Sequence, residues 1–232
     1  MEEANPEKKA VKKYDTRLQV LILRHPQEQD KELGTAPILV DRLSKAVLRT
    51  GLSWPNLKKA LGDPNAESSR WGVLFLGTLK ASAKEITASA KDSVVVINRH
   101  GYRVMGKELK ALDGIVVLDG TWAQAKTMWW RNAWLLKLNR VILKPTAPSL
   151  YGLLRREPRK ECLSSLEAVA EVLLALDNNK TVFDDLKDSF KVKLEEIRAA
   201  KKLARSPVRV TLRSPKAQGS DPCRPSTSPA NN

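Results

Sequence analysis

Five short runs, apolar at almost every position, recur along the chain and alternate with stretches of another periodicity. They are Arg17 to Leu23 (RLQVLIL), Trp71 to Leu76 (WGVLFL), Ser93 to Asn98 (SVVVIN), Gly114 to Leu118 (GIVVL) and Arg140 to Leu143 (RVIL). Apolar runs without alternation read as strands buried on both faces. Between them, apolar residues at helical spacing predict helices over Ile38 to Gly51, Ala123 to Lys137 and Leu163 to Leu176. Gly51 stands where a helix-ending residue would. A strand buried on both faces needs a helical layer on each. The alternation therefore predicts an α/β fold, with a mainly parallel sheet flanked by helices. No apolar run approaches the roughly 18–20 residues of a membrane span.

Charge dominates the ends. Residues 1–13 are polar, lack the apolar core of a signal peptide, and are expected to be a mobile segment. The folded unit is expected over 14–204. Within it, Lys180 to Ala204 reads as a helix whose acidic first half and basic second half match the helix dipole. Residues 205–232 are rich in Pro, Ser, Arg and Lys, the composition of a disordered basic tail. Lys and Arg number 41 against 26 Asp and Glu, a formal net charge of +15. Such an excess favours a polyanionic partner, because neutralising phosphates releases counterions. Cys162 and Cys223 are far apart and make no disulfide framework. That usage fits a reducing compartment and a cytoplasmic protein. His25 and His100 do not cluster with the cysteines, so no zinc ligand set is visible.

The stretch richest in chemistry is Gly114 to Trp122, GIVVLDGTW. A buried strand ends, then an acid, a glycine, a hydroxyl and an indole follow at once. Ligands of parallel sheets bind outside the carboxyl ends of the strands, which is where Asp119 falls. The same residues have plainer uses. Asp119 or Thr121 can cap the following helix, and Trp122 can pack the core. Taken alone, these residues leave both readings open.

A wider pattern surrounds them. Leu118 to Ala125 (LDGTWAQA), followed by Met128, resembles the signature of the DTW-domain family, named for an Asp-x-Thr-Trp motif. Here the motif is Asp119-Gly120-Thr121-Trp122. Tyr151 to Arg155 (YGLLR) resembles the family's Tyr-x-Leu-Arg segment with one residue inserted. Ser164 to Ala168 (SSLEA) resembles its Ser-Thr-x-Glu-Ala segment, with Ser165 for threonine. His25-Pro26-x-Glu28 and Gly34-Thr35 resemble elements that follow the first strand. The paired cysteines that many members carry before that strand are missing, and with them any zinc module. The resemblance implies a SPOUT-like fold with a carboxyl-terminal trefoil knot, a rare exception to ordinary topology. It also implies a homodimer paired across that knot. The implied activity moves the 3-amino-3-carboxypropyl group of S-adenosylmethionine to N3 of a uridine in tRNA, releasing 5′-methylthioadenosine. The alternatives are a SPOUT-type RNA methyltransferase, the same transfer to ribosomal RNA, and a noncatalytic RNA-binding protein.

Under that resemblance the residues take roles. The donor's sulfonium departs as a neutral thioether, so no metal is needed. Asp119 is the general base for uridine N3, and Thr121 orients it. An exposed aspartate titrates near about 3.9, and partial burial beside Trp122 would raise that. Leu76, Gly77 and Thr78, then Leu118 and Gly120, then Tyr151 and Leu154 would hold the adenosyl part. Gly152 would allow a tight bend. Arg155 would grip the methionyl carboxylate or a phosphate. Ser164 and Ser165 would present a helix N-terminus to an anion. Glu167 would complete a capping box with Ser164, a structural role. The acceptor nitrogen lies on the pairing edge, so the uridine must be unpaired. Trp130 or Trp134 would stack a base, while other tryptophans near this helix pack the core. Arg131, Lys137, Arg140, Lys144, Arg155, Arg156, Arg159 and Lys160 would add phosphate contacts.

Overall fold

A computed structural model describes residues 12–74, 93–144, 148–152 and 163–205. Six strands form one sheet: β1 (Gln19–Arg24), β2 (Ala46–Thr50), β3 (Trp71–Leu74), β4 (Val94–Ile97), β5 (Gly114–Asp119) and β6 (Asn139–Leu143). Their order is β2-β1-β5-β3-β6-β4. The pairs along β2, β1, β5, β3 and β6 are parallel, and β4 runs antiparallel to β6. The helices are α1 (Ala36–Arg42), α2 (Leu57–Leu61), α3 (Gly106–Lys110), α4 (Trp122–Arg131), α5 (Ser165–Asp177) and α6 (Lys180–Arg205). The expected mainly parallel sheet flanked by helices is what forms.

Successive side chains of a strand point to opposite faces, and each face has its own core. Val20, Ile22, Ile115 and Val117 pack with residues of α1, α5 and α6. Leu21, Leu23, Val116 and Leu118 pack instead with α2 and α4. This is why β1 and β5 are apolar at nearly every position. Gly114 begins β5 where a Cβ would stand 2.5 Å from Gln19 O and 2.7 Å from the Trp71 ring. Only glycine fits there. Arg17 ties the amino edge together. Its guanidinium donates to Asp177 Oδ1 at 3.1 Å and to the carbonyls of Lys110, Leu112 and Leu176.

Two expected helices are corrected. Ile38 to Gly51 is not one helix: α1 stops at Arg42, Leu43 is extended, and β2 follows. Strand β2 lies at the sheet edge and is half-buried, so it lacks the continuous apolar signature of an inner strand. Gly51 therefore follows a strand and donates its N–H to Arg24 O. Ala123 to Lys137 is also not continuous. Helix α4 ends at Arg131, and a 3-10 turn over Ala133–Lys137 follows Asn132. The Asn132 amide is fully buried and donates to Leu52 O and Met128 O. Its oxygen accepts from Trp54 N and Trp134 Nε1. That network holds Asn132 outside helical geometry. The remaining two helices form where expected, as α5 and α6.

Candidate functional site

Strands β1, β5, β3 and β6 run the same way, so their carboxyl ends share one edge of the sheet. Asp119 is the last residue of β5 and is 8% exposed. Its Oδ1 accepts a hydrogen bond from Ser165 Oγ at 2.7 Å. Its carbonyl accepts from His25 N at 2.9 Å. Three segments thus meet at one residue: the end of β5, the turn after β1 at its carbonyl, and the first residue of α5 at its carboxylate. The positive end of the α5 dipole faces this place.

The start of α5 is built around a second acid. Ser164 caps the helix, and its hydroxyl accepts from Glu167 N at 3.1 Å. Glu167 is 2% exposed. Its carboxylate accepts from Ser164 N at 3.0 Å, Ser149 Oγ at 2.7 Å and Leu150 N at 2.7 Å. The expected capping box is present, and it also ties down the segment before Gly152. Gly152 adopts φ +51°, a left-handed conformation suited to glycine, and supplies the expected bend. Tyr151 is buried, with its ring edge-on to Phe190 and its hydroxyl donating to Leu33 O at 2.8 Å. It anchors this segment to α6 and to the loop after β1. Lys193 Nζ donates to Gly34 O in the same loop, and burial pushes its pKa down.

The start of α4 is a parallel construction. Thr121 caps it, accepting from Gln124 N at 3.4 Å. Its own N–H donates to Gln124 Oε1 at 2.6 Å. Gln124 Nε2 reaches on to Gln27 Oε1 at 3.2 Å. A Cβ at Gly120 would lie 3.1 Å from both Gln124 Cβ and Oε1, and 3.5 Å from His25 Cβ. Gly120 thus lets the turn after β1 pack against the cap. Thr121 caps the helix, and Ser165 supplies a hydroxyl bonded to the Asp119 carboxylate. Leu118 is buried in the core face below.

The tryptophans divide. Trp134 is buried, donating to Trp54 O at 3.0 Å, so it is not available for stacking a base. Trp129 packs against the core. Trp130 is 72% exposed and Trp122 38% exposed. Along α4, Trp122, Lys126 and Trp130 recur at every fourth residue, and all three are exposed. Residues so spaced share one helix face. Arg131 and Lys137 are exposed nearby, while Arg140 and Lys144 are half-buried. The predicted Leu76, Gly77, Thr78, Leu154, Arg155, Arg156, Arg159 and Lys160 lie outside the described residues. Sequence reasoning missed Ser165 as the partner of Asp119. The two stand 46 positions apart, and no spacing signals their contact.

Chemically, the arrangement is a shielded carboxylate fixed by a hydroxyl at the carboxyl edge of a parallel sheet, the edge at which such sheets bind ligands. It can take a proton from a bound group. Among the described residues no three of His, Cys, Asp and Glu converge as a metal cluster.

Comparison with known proteins gives the following. The sequence model of the DTW domain matches residues 5–198. A Macaca fascicularis protein named tRNA-uridine aminocarboxypropyltransferase 2 is 28% identical over 167 residues, covering 71% of this chain and 50% of the relative. A Drosophila melanogaster protein of the same name is 29% identical over 168 residues, covering 69% of this chain and 57% of the relative. The chain thus spans about half the length of the curated relatives it matches. No solved structure matches it.

Proposed function

Because this chain belongs to the DTW-domain family, we propose that it moves the 3-amino-3-carboxypropyl group of S-adenosylmethionine to N3 of a uridine in tRNA. The observation that carries the reading is the Asp119 carboxylate, buried at the carboxyl edge and fixed by Ser165. The names of the relatives, about half of whose length is matched, agree with it.

The step balances without a metal. The bond between sulfur and the terminal carbon of the aminocarboxypropyl chain breaks, and sulfur keeps the electron pair. It leaves as the neutral thioether of 5′-methylthioadenosine. The uridine nitrogen forms the new bond to that carbon, and its proton passes to Asp119. A positioned base of this kind contributes about 10²–10⁴ in rate. Holding donor and acceptor in line contributes more.

The tRNA belongs on the exposed face of α4. Two indoles flank a lysine there, and the helix begins three residues past Asp119. Indoles stack unpaired bases, and cations meet phosphates. The net charge of +15 supports the same partner.

The SPOUT-like class with a carboxyl-terminal trefoil knot belongs to this reading. The strand order supports it, since β5 and β6 each lie between strands formed earlier in the chain. The reading further includes a homodimer, a cytoplasmic site of action suggested by the cysteine usage, and a folded unit over 14–204.

The test uses two samples of donor, one labelled in the methyl group and one in the methionyl carboxyl carbon. Label reaching tRNA from the carboxyl position alone supports the reading. Label from the methyl position alone establishes a methyltransferase, and label from neither overturns transfer to tRNA.

A further inference from the structure

The turn after β1 carries a carboxylate that the transfer step above does not use. Glu28 closes the 3-10 turn Pro26–Glu28 and is 9% exposed. Its Oε1 is buried and has no hydrogen-bond partner among the described residues. The Lys31 ammonium lies 3.5 Å away on a side chain 54% exposed, a pair without hydrogen-bond geometry. A buried anionic oxygen without a donor is costly, and such an oxygen is satisfied when a ligand supplies the donor. The turn adjoins the site at two points. His25 N meets Asp119 O at 2.9 Å, and Gln27 Oε1 meets Gln124 Nε2 at 3.2 Å. It is also held in place, because Glu28 N donates to His25 O, and Tyr151 and Lys193 pin the loop beyond it.

We propose that Glu28 Oε1 receives the α-ammonium of the donor substrate; this rests on the function proposed above. The chemistry selects the group. The sulfonium is cationic but has no proton to donate. The adenine amine, the ribose hydroxyls and the uridine imide can donate but are neutral. The α-ammonium alone offers both a positive charge and N–H donors, which is what a buried carboxylate oxygen needs. It belongs to the group being transferred, so anchoring it at the turn beside Asp119 presents that chain, rather than the methyl group, to the acceptor. Glu28 is a positioning residue in this scheme, and no proton moves there.

The experiment is calorimetric binding to the full chain and to Glu28→Gln, with three probes. S-adenosylmethionine and S-adenosylhomocysteine both carry the ammonium, and 5′-methylthioadenosine lacks it. Glu28→Gln is expected to weaken the first two about 10- to 100-fold and to leave the third within about twofold. Equal weakening of all three, or no change in any, overturns the proposal. Weakening of S-adenosylmethionine alone also overturns it, because that pattern belongs to the sulfonium. Thermal melting accompanies each variant. If Glu28→Gln does not fold, Glu28→Asp keeps the charge at shorter reach and is read by the same pattern. Wild-type protein that binds none of the three overturns the proposed function itself, whereas wild type that binds all three beside an unchanged variant overturns only the assignment of Glu28.

Discussion

Helices α4 and α5 begin with the same local device and use it differently. Each opens on a hydroxyl cap joined to a side chain three residues on: Thr121 with Gln124, and Ser164 with Glu167. In α4 the second partner is a neutral amide at the surface, and its remaining bond goes to Gln27 on a neighbouring turn. In α5 it is a buried carboxylate with three accepted hydrogen bonds, two of them from Ser149 and Leu150. A local motif therefore does not tell how strongly a helix start is fixed; burial and charge decide that. The α5 start is locked and fixes Asp119 through Ser165, while α4 leaves an exposed face of indoles and a lysine.

The comparison can be broken at its stronger end first. Glu167→Ala strands three donors, one buried and two part-buried, and its unfolding free energy is expected to fall by about 3–5 kcal/mol in denaturant titrations. A loss below about 1 kcal/mol would mean that the two helix starts are equivalent. Next comes the exposed face. Trp130→Ala is expected to weaken tRNA binding by about 1–3 kcal/mol, roughly 5- to 150-fold, with the melting temperature unchanged. Filter binding at fixed salt measures this, and unchanged affinity would remove α4 as the RNA surface. The smallest effect is expected at Gln124→Ala. The Thr121 cap survives there, so the cost should stay under about 1 kcal/mol.

How much of this was legible in the sequence follows from how each residue is determined. Strands β1 and β5 read plainly because two cores, one on each face, demand apolar residues at consecutive positions. Strand β2 was hidden inside an expected helix because an edge strand meets only half of that demand. The stop at Asn132 was invisible, since it depends on partners at Leu52 and Trp54 brought close only by folding. At the site, Asp119 announced itself by its place after a buried strand, and the Ser164–Glu167 capping box by its three-residue spacing. The Ser165 contact, the burial of Glu28 and the contrast between Trp134 and Trp130 depend on tertiary packing, which periodicity does not record.

The central claim is that Asp119 takes the proton from the acceptor base. Its most direct test is the single-turnover rate of transfer by Asp119→Asn, at donor and tRNA concentrations shown to saturate that variant. The account predicts a rate lower by about 10²–10⁴, with both substrates still bound. A rate within about twofold of wild type would contradict it, and the carboxylate would then be only a structural partner of Ser165.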